Sequence, residues 1–234
     1  TKSLTREVNK HCIHSPTRHS NNMPYLWDDI STCLKDHTQF LTALPLIAAS
    51  AFLLTPAEGE TVHLSVNSVT ACPYCTGLHG NLGRMAGCDS IGIEGAKTDE
   101  ECASKAGSTS SNEHEIALYA RTFAKSGYSA DAQKTLSAKV GQTKAKCVNA
   151  MCLFLKWGSY GGNTINDTVS NPGIFKIGFS LYYGPLYVIV KVVSALLTVM
   201  PTNGPKALNQ VMSFALPIIA GAWIVPVGML GFFW

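Results

Sequence analysis

This sequence contains few charged residues. Asp, Glu, Lys and Arg make up 14% of its 234 residues, and apolar residues make up 46%, whereas about 25% of an ordinary soluble domain is charged. Such a composition favours contact with lipid or with a large partner surface. The net charge is only +3 and the basic residues are scattered, so we do not expect nucleic acid to be a partner.

Several other features are missing. No basic segment leads into an apolar run at the start of the sequence, so no secretory signal is visible, and we expect a processed N terminus. Eight cysteines are too few for a disulfide scaffold in a chain of this length. No segment sustains the period-two alternation of a half-buried strand. The sequence therefore predicts an all-α protein.

Composition divides the chain into three parts. Residues 1–24 form a polar arm, residues 25–170 a helical domain, and residues 171–234 an apolar region. The last part holds almost no charge, and a run of about 20 apolar residues is long enough to cross a bilayer. We expect this C-terminal region to be embedded in a membrane through one or two transmembrane helices. The alternative is a pair of helices buried against partner subunits.

Helical periodicity divides the domain further. We predict a short helix at 25–35, followed by an uncharged stretch at 37–57, interrupted by Pro45, that forms either a buried helix pair or a bilayer crossing. Residues 88–112 have the composition of a surface loop. Further helices are predicted at 58–71, 73–87, 112–127, 129–140 and 144–167. Pro73 and Gly87 mark the ends of the second of these, and Ser129 marks the start of the fourth. The third has one apolar face, formed by Ile116, Tyr119, Ala120 and Phe123, and in the last we expect the inward-facing residues to be Val148, Cys152, Leu155 and Tyr160.

Cys72 and Cys75 frame a Cys-Pro-Tyr-Cys motif that carries the clearest chemistry. In thiol–disulfide exchange a thiolate is the nucleophile, and a second sulfur resolves the mixed species. Cysteines three residues apart on a helix are close enough to join, and a helix N terminus favours negative charge on the first sulfur. His79 shares their helical face and can exchange a proton near neutral pH. Glu60 reaches the same pocket if a turn near Ala71 folds the preceding helix back.

The pattern E-x11-C-P-Y-C-x-x-x-H, formed by Glu60, Cys72, Cys75 and His79, resembles the motif of the alkylhydroperoxidase D-like proteins. These share a fold superfamily with the carboxymuconolactone decarboxylases. The resemblance covers roughly residues 25–170. It implies an all-α domain, often assembled as trimers or hexamers, whose cysteine pair cycles between dithiol and disulfide while it reduces peroxides or accepts electrons from a partner. It also implies that Cys72 and Cys75 are the redox pair and that His79 and Glu60 are the proton relay.

Two functional hypotheses follow. The first is a membrane-associated thiol–disulfide oxidoreductase with peroxidase-like chemistry, which takes peroxide or a partner disulfide as substrate and requires no cofactor. The second is a structural or accessory subunit of a large organellar membrane complex, either a photosystem or a respiratory assembly, with the redox domain auxiliary or vestigial. Chlorophyll or carotenoid would then lie on the apolar helices. Both hypotheses place the chain at an organellar membrane, the thylakoid or the mitochondrial inner membrane.

A metal site is not predicted. A Cys-x-x-Cys pair can bind zinc, and His63 and His79 could add ligands, but no second close Cys or His pair stands at ligand spacing. The three histidines of the polar arm, at positions 11, 14 and 19, are expected to face solvent.

The remaining cysteines receive structural interpretations. Cys147 and Cys152 are predicted to be small core residues. In an oxidising compartment two disulfides could form, Cys88–Cys102 and, with less support, Cys12–Cys33.

Overall fold

The computed structural model of the protein describes residues 25–88, 111–199 and 219–223. Within these ranges the chain is helical and contains no strand, which confirms the all-α prediction. The long helices of this part, in chain order, are α1 (Ile30–Leu53), α2 (Pro56–Thr70), α3 (Pro73–Ala86), α4 (Ser111–Ser126), α5 (Ala130–Val140), α6 (Gln142–Thr168) and α7 (Ile174–Thr198).

The first helix differs from its prediction. Residues 25–29 are not helical, and the single helix α1 replaces both the predicted short helix and the predicted helix pair. It begins after Asp29, whose side chain accepts a hydrogen bond from the Thr32 amide at 2.9 Å. It continues through Pro45, because burial of Phe40 and Ile47 in the core beside α6 offsets the hydrogen bond that proline cannot donate. This helix is therefore part of the domain core.

Local signals set the bounds of α2 and α3. Thr55 and Glu58 form a capping box, in which the Glu58 amide donates to Thr55 Oγ1 at 3.1 Å and the Thr55 amide donates to Glu58 Oε2 at 2.8 Å. Ala71 adopts the left-handed region with a φ of 53°, and this turn folds α3 back beside α2. Pro73 occupies the first turn of α3, and Gly87 ends it at a φ of 81°.

The helices after residue 111 follow the predicted pattern. Ser129 caps α5 by accepting a hydrogen bond from the Ala132 amide. The inner face of α4 is the predicted one and buries Ile116, Tyr119, Ala120 and Phe123. The amphipathic pattern was therefore sufficient to orient this helix.

The central helix is α6, which contacts α1, α2, α3, α4, α5 and α7. Cys147 and Cys152 are buried on it, which confirms their prediction as core residues. Tyr160, predicted to face inward, is only half-buried and packs beside Tyr25 and Trp27. The cavity and the site described below are therefore built around α6.

The two faces of α7 differ. Its inner face contacts α3 and α6 and buries Phe179, Tyr183, Leu186, Tyr187 and Leu197. Its outer face exposes apolar side chains such as Leu181 (77%) and Val188 (61%). Among the described residues, α7 is the one helix that is long and apolar enough to cross a membrane, and 22% of its most apolar stretch is buried. The predicted domain boundary at residue 170 falls in the link between α6 and α7, and α7 packs on the domain.

Several predictions concern residues outside the described ranges. These residues are the polar arm of residues 1–24, almost all of the loop at 88–112, and most of residues 200–234 in the apolar C-terminal region. Cys12 and Cys102, the predicted disulfide partners, lie there too. Cys33 and Cys88 are both buried.

Candidate dithiol site

The turn that leads into α3 is fixed by side chains from two helices. The Oδ1 atom of Asn67 on α2 accepts a hydrogen bond from the Cys72 amide at 3.0 Å, and its Nδ2 atom donates one to Thr76 Oγ1 at 2.7 Å. Thr76 donates in turn to the Cys72 carbonyl oxygen at 2.9 Å. From α6, Asn163 donates to the Thr70 carbonyl oxygen at 2.8 Å. These bonds hold Cys72 at the N-cap of α3.

The two cysteines lie at different depths. Cys72 is fully buried where α6 comes very close, so that a Cβ on Gly162 would lie 2.6 Å from the Cys72 sulfur. Cys75 is 7% exposed, lines a cavity, and has its sulfur 3.7 Å from Ser159 Oγ. A molecule that enters the cavity therefore meets Cys75 before Cys72.

The two thiols also differ in acidity. Burial raises the pKa of Cys72, but a hydrogen bond from the Cys75 side chain and the backbone amides of Cys75 and Tyr74 outweigh burial and leave that pKa below its usual value. The same hydrogen bond, together with burial and the charge of Cys72, raises the pKa of Cys75 well above its usual value. Of the two thiols, Cys72 is therefore the more acidic and forms its thiolate at a lower pH than Cys75 does.

Glu60 and His79 meet at this site from neighbouring helices. Glu60 Oε2 of α2 lies 3.0 Å from His79 Nδ1 of α3, and both side chains are buried. Burial raises the pKa of the Glu60 carboxyl, but the imidazoles of His79 and His63 outweigh burial and lower it. Because the ionised carboxylate can only accept, His79 donates from Nδ1, and in the neutral ring the lone pair then lies on Nε2.

The cavity has a volume of about 70 Å³ and is bounded by residues of α2, α3, α6 and α7. That space holds a few water molecules or a small peroxide. Glu60, His63, Cys75 and His79 line it together. The rest of the wall is mostly apolar and includes Leu78, Leu82, Leu155, Leu186, Val190 and Ala220. A reaction at Cys75 would therefore take place largely away from bulk water.

The structure brings Glu60, Cys72, Cys75 and His79 together. It adds His63, which the sequence indicated only as an additional zinc ligand. His63 Nδ1 lies 3.5 Å from Glu60 Oε2, and the rings of His63 and His79 have centroids 4.0 Å apart. The sequence feature that could have indicated this proximity is the i, i+3 spacing of Glu60 and His63, which places both on one face of α2. These three buried residues could hold a metal ion, because their ligand atoms lie within 4.8 Å of one another.

Asn67, Ser159 and Gly162 were not singled out from the sequence. Their contribution depends on which helix lies beside α3, and no local pattern carries that information.

Other cysteines have a different environment. Burial raises the pKa of Cys33 to about 12 and also raises the pKa values of Cys147 and Cys152. These thiols stay protonated near neutral pH and are poor nucleophiles. The acidity of Cys72 therefore depends on its hydrogen bonds with the Cys75 side chain and with the first backbone amides of α3.

Comparisons with protein-family models, curated proteins and solved structures find no match for this chain. The function proposed below therefore rests on the geometry of the site and on the resemblance of its motif.

Proposed function

We propose that this chain is a thiol–disulfide oxidoreductase with peroxidase-like chemistry, built on an alkylhydroperoxidase D-like helical domain. One arrangement supports the proposal. Cys75 and His79 line the same cavity, Cys72 is hydrogen-bonded to Cys75 and more deeply buried, and Glu60 binds the Nδ1 of His79. Nucleophile, resolving sulfur and proton relay are thus within one buried site.

The first step requires a proton transfer from Cys75. The Nε2 atom of His79 accepts this proton, and the Glu60 carboxylate stabilises the imidazolium that results. The Cys75 thiolate attacks the terminal oxygen of a hydroperoxide, so that an S–O bond forms and the O–O bond breaks. The alkoxide that leaves takes the proton back from His79 and departs as an alcohol.

The neighbouring sulfur completes the reaction. The Cys72 thiolate attacks the sulfur of the Cys75 sulfenic acid, an S–S bond forms, and the S–O bond breaks. Hydroxide leaves and takes a proton from solvent to become water. Two electrons have passed from the dithiol to the peroxide, and a dithiol reductant must return them. With a partner disulfide as substrate, Cys75 attacks a sulfur instead of an oxygen and Cys72 resolves the mixed disulfide.

The test is peroxide consumption by the full chain in detergent, with dithiothreitol as the reductant. We expect Cys75→Ser to abolish consumption, because serine cannot act as the nucleophile in this reaction. Cys147→Ser is the matched control, since Cys147 of α6 is also a buried thiol but lies outside the cavity. Equal rates for Cys75→Ser and the unaltered protein would contradict the proposal.

The outer face of α7 supports a second function, which is compatible with the first. Exposed apolar residues recur along it at helical spacing, at Leu181, Val188, Val192 and Leu196. Contiguous exposed apolar surface of this kind marks contact with a membrane or a partner. The chain is, in this proposal, also a subunit of a large complex in the thylakoid or mitochondrial inner membrane, with α7 against lipid or apolar partner helices.

Pigment binding belongs to this second proposal. A groove of about 290 Å³ between α1 and α7 is lined by apolar and aromatic side chains, among them Phe175, Phe179 and Tyr182. Chlorophyll or carotenoid presents a surface of matching chemistry. Mild detergent extraction and a native gel test both points: we expect the chain to run with a large complex, and pigment absorbance in that band would support a photosystem. Migration as a small free oligomer would contradict the subunit proposal.

A further inference from the structure

The buried group formed by Glu60, His63 and His79 has a geometry that the dithiol reaction does not require. Their side chains are 1–6% exposed. Glu60 Oε2 lies 3.0 Å from His79 Nδ1 and 3.5 Å from His63 Nδ1. Two imidazole nitrogens therefore flank one carboxylate oxygen, and the two rings lie close to each other.

These distances match those between the ligands of a metal ion. Zinc binds histidine nitrogen and carboxylate oxygen at about 2.0–2.2 Å in tetrahedral geometry, which places neighbouring ligand atoms about 3.4 Å apart. The two separations from Glu60 Oε2, 3.0 and 3.5 Å, bracket that value, and the ligand atoms of all three residues lie within 4.8 Å of one another. An ion can therefore be held by these three atoms after small shifts of side chains that are already buried and positioned.

Unpaired polar atoms are a second, independent observation. Within the described part of the chain, the two ring nitrogens of His63 and the Oε1 atom of Glu60 are buried and have no hydrogen-bond partner. Buried polar groups in native proteins are nearly always paired, and an unpaired one calls for a specific cause. Here three unpaired atoms belong to two neighbouring side chains, which indicates a ligand between them.

We propose that Glu60, His63 and His79 bind a divalent transition-metal ion, for which zinc is the best fit. Two histidines and one glutamate are a known zinc ligand set that leaves a fourth position for water, and all three residues line the cavity. The site goes beyond the proposed dithiol function. A bound ion engages the Glu60 and His79 atoms that the proton relay uses, so the metal-bound form and the redox-active form are alternative states of one site.

Cobalt is the probe for this proposal, because tetrahedral Co²⁺ absorbs visible light and replaces zinc at such sites. The titration uses the full chain in detergent with the polar-arm histidines at 11, 14 and 19 replaced by glutamine, so that they cannot compete. We expect one Co²⁺ per chain and a visible spectrum without a thiolate charge-transfer band. His63→Gln is expected to weaken binding at least about tenfold, the scale of losing even a supporting contact of a metal site.

Two further variants decide which residues hold the ion. Cys72→Ser/Cys75→Ser should keep the cobalt spectrum, because the dithiol is not a ligand, and His114→Gln on α4 should keep it too. The proposal is overturned if the unaltered site binds no Co²⁺, if His63→Gln binds it equally well, or if the double cysteine variant loses it. Should His63→Gln fail to fold, the ligand type is still read from the spectrum of the unaltered site, where a thiolate band overturns the proposal. Peroxide consumption is measured separately, so either function can fail alone.

Discussion

At the residue scale, α6 has a glycine, Gly162, at the point where it meets the dithiol. Gly162 faces Cys72, and a Cβ there would lie 2.6 Å from the Cys72 sulfur and 3.1 Å from ring atoms of Tyr74 and Tyr187. A real Cβ essentially never approaches another atom as closely as 2.6 Å, and contacts of 3.1 Å are unusually tight. Glycine at this position therefore allows α6 to cover the first sulfur and exclude water from it.

Gly162→Ala tests this close approach. We expect it to lower the free energy of unfolding by about 1–3 kcal/mol, the usual cost of overpacking a core. Gly158→Ala on the same helix is the matched control, because its Cβ would meet nothing within 4 Å and alanine favours a helix over glycine by about 0.5–1 kcal/mol. Urea unfolding of both variants measures the difference. Equal stability would show that α6 does not approach Cys72 as described.

The hydrogen bond between the two cysteines gives a prediction about acidity. Cys75→Ala removes the donor that lowers the pKa of Cys72, so the Cys72 thiolate should form at higher pH and be less populated near neutral pH. The pH dependence of thiolate ultraviolet absorbance measures this shift. Ser159→Ala is the control, because Ser159 contacts Cys75 and leaves the Cys72–Cys75 hydrogen bond in place. An unchanged Cys72 titration in Cys75→Ala would contradict the account.

At the scale of the elements, α7 has two different faces. One face is packed on the domain, and the other has no partner in the described part of the chain. Along the inner face, Lys176 pairs with Asp167 at 2.7 Å near the start of α7, and Asn81 of α3 donates to the Ser194 carbonyl oxygen near its end. The helix is thus attached over most of its length. Lipid or partner helices would therefore meet α7 as one wall of the domain, and not as a detached anchor.

Leu181→Glu tests the role of the outer face. We expect it to weaken membrane or complex association, because a carboxylate must be desolvated there, and to leave domain stability within about 0.5 kcal/mol, as for most surface changes. Tyr128→Glu, at an exposed position in the link between α4 and α5, is the control. Flotation on lipid vesicles and native gels measure association. Undiminished association of Leu181→Glu would argue against this face as the contact.

At the scale of the whole molecule, the buried carboxylate of Asp36 joins the segment before α1 to the rest of the described domain. The indole N–H of Trp27 donates to Asp36 Oδ2 at 2.9 Å, and its amide donates to Thr164 Oγ1 at 2.9 Å. Lys156 of α6 pairs with the other Asp36 oxygen at 2.8 Å. Residues from before α1, from α1 and from α6 therefore meet at one point, which closes the domain around its central helix.

Trp27→Phe tests this junction. It removes a hydrogen bond to a charged group, so we expect a loss of about 1.5–3 kcal/mol in unfolding free energy. Trp157→Phe is the matched comparison, because it removes the same atoms but breaks a longer hydrogen bond, of 3.3 Å, to His37 Nε2. We expect this variant to lose about 0.5–1.5 kcal/mol of unfolding free energy. Thermal unfolding of both variants gives the comparison. A larger loss for Trp157→Phe would mean that Asp36 is not the dominant contact.

Much of this architecture could be predicted from the sequence, because it depends on local signals. The amphipathic pattern oriented α4, Ser129 marked the start of α5, and Pro73 and Gly87 bounded α3. The continuity of α1 through Pro45 could not be predicted, because packing against α6 overrides a local helix breaker.

The candidate site divides in the same way. Spacing placed Cys72, Cys75 and His79 on one face, but the different depths of the two sulfurs depend on α6. The proximity of His63 and Glu60 to His79 depends on the fold-back at Ala71. Contacts between helices carry this information, and a single sequence does not.

The rigid support of Cys72 has a consequence for communication within the molecule. Asn67 and Thr76 fix its backbone, so Cys75 must make most of the movement when the two sulfurs close to the roughly 2.0 Å of a disulfide. Leu78 and Leu82 follow Cys75 on α3 and share a cluster with Leu197 of α7. Oxidation of the cysteine pair would therefore displace residues that pack against α7. A partner or lipid in contact with the outer face of α7 could in this way respond to the redox state of the pair.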